Sequence, residues 1–225
     1  MRLCATRFLA GLLALPSAFS SVIVGLPPDP KQGNGLPFSD PQAFNVSHYQ
    51  QVYAAQDFPG ALAITALTFF HTQFPDRSAL SKATYTLSLS TVSANVLTFN
   101  SLINVGADNA QLFNGPLPAS APVGSSFTLG GGSFSFDPSK GNLLLDIVIS
   151  AGEDGDVPLD SRSAAFGIFS RATNGSNTGT MGYGLVTRFE VVPEPSGTAL
   201  LIAGSSVLGF PWLRRRRSQA WLGFG

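Results

Sequence analysis

The chain has 225 residues, with 13 Lys and Arg against 13 Asp and Glu and a single cysteine, a length that suits one domain plus targeting segments. The even balance hides an asymmetry: residues 21–195 carry 7 basic and 13 acidic side chains, a formal charge of −6, because the other six basic residues lie near the two ends. A mildly acidic body excludes a nucleic-acid-binding surface, and a composition poor in charge but rich in Gly, Ser, Thr, Asn and Phe excludes a coiled coil and suits an exported β protein.

In chain order, Arg2 and Arg7 precede the apolar stretch Phe8 to Leu15 and the small-x-small triplet Ala18-Phe19-Ser20. That order reads as a signal peptide over residues 1–20, with an apolar core too short to remain as a spanning helix. Cys4 falls inside the removed segment, so the mature chain has no thiol chemistry. Residues 21–45, rich in Pro, Gly and Asp, read as an irregular arm or linker.

Strand signals then follow almost without interruption. Ala61 to Phe70 is a long β run, and Ala83 to Ser90 alternates, with Tyr85, Leu87 and Leu89 on one face and Thr and Ser on the other. Ser125 to Leu129 and Ser133 to Phe136 read as two strands joined by a turn at Gly130-Gly131-Gly132. Asn142 to Ile149 is apolar on both faces apart from Asp146, the pattern of a central strand covered on each side, and Asp137 to Gly141 is a tight turn feeding it. Ala164 to Phe169, Met181 to Val186 and Phe189 to Val192 complete the set. The expected fold is all-β, an antiparallel β-sandwich of jelly-roll type over residues 46–190.

The C-terminal segment 191–217 has three parts in fixed order: Pro193-Glu194-Pro195, an uncharged run from Ser196 to Leu213, and the cluster Arg214, Arg215, Arg216 and Arg217. The run is 18 residues long, about 27 Å as a helix, enough to cross a hydrocarbon core. The arginines would hold the end of the chain, with its short tail 218–225, on the cytoplasmic side.

This order resembles the PEP-CTERM sorting signal of Gram-negative bacteria. The resemblance implies a membrane-embedded exosortase-like protease or transpeptidase as partner. It implies a membrane-held precursor, cleavage near the tripeptide, and delivery to the cell surface or extracellular matrix. The stretches Tyr49 to Tyr53, Phe58-Pro59-Gly60, Tyr85 to Ser90 and Asp137 to Asp146 also resemble mature domains of that family, over roughly residues 46–190. The family's usual setting implies a link to exopolysaccharide and biofilm.

Chemistry-bearing residues are few. No Gly-x-Ser-x-Gly elbow occurs, and the only histidines are His48 and His71, the latter read as a surface or turn residue at a strand end. Away from the sorting motif, only Glu153 and Glu190 add to the aspartates for paired-carboxylate work. No pattern asks for a cofactor, and the expectation is a non-enzymatic protein, with a carbohydrate-binding module and then a secreted hydrolase as alternatives. Glu153, Asp154, Asp156 and Asp160 are candidate Ca²⁺ ligands, hard oxygens in a glycine-containing loop, although the EF-hand register is missing. Both tryptophans, Trp212 and Trp221, lie in the tail, so sugar stacking falls to tyrosines: Tyr49 and Tyr53 foremost, then Tyr183, with Tyr85 on a core-like face.

Overall fold

A computed structural model describes residues 21–30, 32–175 and 179–193. The predicted signal peptide, Glu194, Pro195 and the apolar and arginine segments lie outside these residues. Among the described residues, no helix is long and apolar enough to cross a membrane.

The fold is all-β and every strand pair is antiparallel. One sheet runs β1 (Ser21–Val24), β13 (Thr187–Pro193), β4 (Leu62–His71) and β7 (Ser125–Phe136) in spatial order. The second runs β11 (Thr180–Met181), β10 (Phe169–Thr173), β3 (His48–Tyr53), β8 (Asn142–Ile149), β5 (Thr84–Val92) and β6 (Ala110–Pro116). A small third sheet joins β12 (Gly184–Leu185), β9 (Leu159–Arg162) and β2 (Gly33–Asn34).

The two large sheets face each other across one apolar core, consistent with a β-sandwich. Alternation puts Tyr85, Leu87 and Leu89 of β5 wholly inside, beside Leu143, Leu145 and Ile147 of β8. Aromatic side chains bridge the sheets. The Tyr53 ring lies 5.0 Å from that of Phe189, and Phe38 sits 4.6 Å from Phe69 and 5.4 Å from Tyr85. Such pairs add about 0.5–1.5 kcal/mol each beyond the area they bury.

The sequence and the structure part at several places. Gly130-Gly131-Gly132 does not turn the chain back; β7 is one strand that passes through all three. On either side of the glycines, Ile64 pairs with Phe134 but Ala66 pairs with Gly130, so β7 takes up two extra residues there. This irregularity changes the side-chain phase and keeps Phe127 and Leu129, then Phe134 and Phe136, on the inner face of one strand. A Cβ on Gly130 would meet the Thr65 carbonyl oxygen at 2.7 Å, and one on Gly132 would meet that of Gln111 at 2.3 Å. Close backbone approach explains these glycines better than a reverse turn.

The same shift carries β4 from Leu62 and Ile64 to Leu67, Phe69 and His71 on the core side. His71 is therefore a buried histidine, its Nδ1 donating to the Ala121 carbonyl at 2.6 Å. Residues 21–45 are no loose arm: β1 pairs along β13, while Leu36 and Phe38 are buried in the core. Strands β6 and β9 had no strong sequence signal, and the Ala164 to Phe169 stretch is mostly turn, with β10 starting at Phe169.

Strand β8 is central, with β3 on one side and β5 on the other. Only one of its faces is packed throughout. On the other, Leu144 joins a smaller cluster with Val96 and Phe99 from the segment 93–109, whereas Val148 is 50 % exposed.

Candidate functional site

The expected sugar platform is absent from the surface. Tyr49 and Tyr53 are both 0 % exposed. Tyr49 donates its hydroxyl to Gln51 Oε1 at 2.6 Å, and Tyr53 bonds Thr187 Oγ1 at 2.8 Å. Burial pushes both phenols up from their ordinary pKa. A ring walled in by core cannot stack on a sugar. Tyr49 to Tyr53 form part of strand β3, with both tyrosine rings on its core face and not on a ligand surface.

The four acidic candidates diverge as well. Asp154 accepts from the amides of Gln42 (2.9 Å) and Ala43 (2.8 Å), and Asp156 from those of Ser78 (3.0 Å) and Ala79 (2.7 Å). Asp160 accepts from the amide (2.9 Å) and hydroxyl (2.8 Å) of Thr72, while Glu153 pairs with exposed Lys82. Three of the four carboxylates thus clamp three separate backbone segments by charge-assisted bonds. Among the described residues, no three His, Cys, Asp or Glu side chains gather to hold a metal ion. Of the sorting motif only Pro193 is described; its backbone ends β13, opposite Leu62.

Two polar constellations emerge instead. The first lies on the outer face of the six-stranded sheet. His48 Nε2 is 2.6 Å from Asp146 Oδ1, and Gln50 Nε2 donates to the same oxygen at 2.6 Å. The bond to Asp146 raises the His48 pKa, and partial burial opposes it. Gln50 also clasps the covering segment, donating to the Ile103 carbonyl (2.8 Å) and accepting from its amide (2.9 Å). Asp146, the one polar interruption in an apolar strand, is thereby explained as the anchor of this network.

The second is a cleft of about 490 Å³, between β2 with the turn that follows it, the loop before β9, Arg171 in the middle of β10 and Tyr183 just before β12. The turn is set by burial: Leu36 and Phe38 point into the core, and the Leu36 amide donates to Asn34 Oδ1 at 3.2 Å. Asp40 is thereby presented at the wall. Its carboxylate sits against the backbone at Gly35, where a Cβ would meet Asp40 Oδ1 at 2.3 Å. Burial raises the Asp40 pKa; its own amide and Arg171 work against that, and Asp154 adds to it.

Across the cleft, Arg171 on β10 is only 4 % exposed. Its guanidinium carbon lies 4.5 Å from the centroid of the Tyr183 ring, and Nη1 donates to Asn34 Oδ1 at 2.9 Å. It forms no ion pair among the described residues. Five buried side-chain atoms lack a hydrogen-bond partner among those residues, and three of them belong here: Asn34 Nδ2, Asp40 Oδ1 and Arg171 Nε. An unsatisfied buried polar atom costs about 1–3 kcal/mol, and three at one place make this cleft the strongest candidate for a binding site among the described residues.

The sequence holds one visible hint of this cleft, the lone basic residue Arg171 in the otherwise uncharged stretch Phe169 to Thr173. Tyr183 was already a stacking candidate. Asn34 and Asp40 gave no signal, because their importance depends on facing a residue more than a hundred positions away. No family model, curated protein or solved structure matches this chain.

Proposed function

We propose that this is an exported protein of the cell surface or extracellular matrix, sorted by an exosortase-like membrane enzyme, whose β-sandwich acts without catalysis. One observation carries the reading: the tripeptide Pro193-Glu194-Pro195, the uncharged run and the four arginines stand in the order a membrane-sorting signal requires. The fold supports it. Ser21 pairs with Glu190, so the residue after the predicted signal peptide and the start of the tail leave the same end of one sheet. Strand β13 ends at Pro193, the first residue of the tripeptide, and a signal that begins where the last strand ends agrees with this reading.

The sandwich is proposed to be a jelly roll. With β1, β3, β4, β5, β6, β7, β8 and β13 counted one to eight, the sheets read 1-8-3-6 and 2-7-4-5, the order of two interleaved Greek keys. The strands of the β9–β12 region are additions around that frame.

Mass spectrometry of the mature C-terminus tests the sorting reading. Cleavage is expected close to Pro193–Pro195, and Glu194→Ala should leave export and folding intact while full-length precursor collects in the membrane. Processing of that variant at the wild-type rate and site would reduce the tail to a simple anchor.

Carbohydrate binding is the second reading. It is favoured by the polar cleft around Arg171 and Asp40 and no longer by Tyr49 or Tyr53.

A further inference from the structure

We infer that the cleft formed by the turn after β2, Arg171 and Tyr183 binds a neutral polyhydroxylated ligand, a saccharide unit, through Asp40 and Arg171. The inference rests on the carbohydrate-binding reading and is independent of how the protein is sorted.

The balance of charge selects a neutral ligand. The charged side chains lining the cleft are Asp40 and Asp156 against Arg77 and Arg171, two of each sign. Asp156 is engaged with the amides of Ser78 and Ala79, while the Asp40 carboxylate accepts from no other residue among those described. An anionic group drawn to Arg171 would also face the Asp40 carboxylate, and a cation drawn to Asp40 would face the guanidinium. A hydroxyl suits both. Its oxygen accepts from Arg171 or the Asn34 amide and its proton goes to Asp40, so vicinal hydroxyls satisfy a donor and an acceptor wall together.

Size and shape agree with this chemistry. About 490 Å³ falls within the range of small-ligand sites. The apolar edge is supplied by Phe44, 37 % exposed at the rim, and by the part-exposed Tyr183 ring, against which the C–H face of a sugar can lie. The three unpartnered atoms are nearly sealed from solvent, so binding includes a small side-chain adjustment. Asp40, half-buried and tied to no other side chain, can make it. Arg171 is pre-set by its bond to Asn34 and its seat on Tyr183, which limits the entropy lost on binding.

The test uses the full chain in a detergent without a sugar headgroup, titrated by calorimetry and ligand-observed NMR. The probes are neutral gluco-, galacto- and manno-disaccharides, a glucuronic-acid disaccharide and inorganic phosphate. At least one neutral disaccharide should bind and raise Tm, more tightly than the uronate or phosphate. Asp40→Asn keeps the shape but removes the charged acceptor, and should weaken binding about tenfold or more without lowering Tm. Gly35→Ala reaches the same carboxylate from behind by displacing it, and Phe44→Ala removes only the exposed rim; both should also weaken binding. The inference is overturned if no neutral disaccharide binds at millimolar concentration. It also fails if binding is unchanged in Asp40→Asn and Phe44→Ala, or if the uronate or phosphate binds better and Asp40→Asn strengthens it. None of these outcomes touches the C-terminal processing readout, so the two readings fail separately.

Discussion

At the scale of single residues, Asp146 shows how one polar side chain in an apolar strand acquires a task. It is buried and accepts from His48 and Gln50, and Gln50 in turn holds Ile103 of the segment that covers this face. The bond raises the His48 pKa above its ordinary 6.5 in the folded chain. The stability from charged His48 is therefore fully present below about pH 6.5 and is lost as pH rises through the higher folded value. Urea unfolding of wild type and His48→Gln at a series of pH values checks this. The wild-type advantage should be largest near pH 6 and shrink above neutrality. An advantage that grows with pH would mean that His48 is held neutral in the fold.

At the scale of elements, β8 explains why hydrophobicity on both faces of a strand need not mean burial on both. Leu145 and Ile147 face the sandwich core, while on the other face Val148 stands in solvent beyond the reach of the 93–109 cover. An unpaired carboxylate in the core costs several kcal/mol against a total stability of roughly 5–15 kcal/mol. Leu145→Asp or Ile147→Asp should therefore prevent folding, whereas Val148→Asp should change stability by less than about 1 kcal/mol. Cooperative unfolding of Ile147→Asp at a near-wild-type midpoint would contradict the placement of β8. Ser88, although polar and on the outer side of β5, is not a free position. It is buried and pairs across the strands with Asp146, so Ser88→Asp sets two carboxylates side by side and should destabilise.

At the scale of the whole molecule, the two sheets interlock instead of merely stacking. Tyr53 of β3 crosses the core to donate to Thr187 of β13, and the Thr187 hydroxyl in turn donates to the Leu185 carbonyl at 3.2 Å. Phe58, in the connection that carries the chain from β3 to β4, packs 5.0 Å from Phe136 and 5.1 Å from Phe189, so the crossover between the sheets is itself seated on β4's two neighbours. Unfolding is expected to be a single transition. Tyr53→Phe, which keeps the ring and removes the inter-sheet bond, should cost about 1 kcal/mol within that one transition. Two resolved transitions by circular dichroism would show that the sheets are separately stable.

By itself the sequence determined the all-β class, the inner face of β5 and the turn at Asp137, where the Lys140 amide bonds the Asp137 carbonyl at 3.0 Å. These are local properties: alternation at a period of two and the fixed backbone of Pro and Gly act on neighbours in the chain. The sorting role proposed for the C-terminal segment, too, rests on local order alone. Only tertiary structure decided what lies beyond such short range. The glycine triplet could have turned the chain or let two strands pass closely, and the partners at Thr65 and Gln111 made it the second. Tyr49 and Tyr53 carry the same hydroxyls inside a core as on a surface, so their burial depended on which sheet came to face β3. The cleft depended most on long-range assembly. Asn34 and Arg171 are 137 positions apart, and a donor and acceptor pair that only the folded chain brings together leaves no periodicity for the sequence to display.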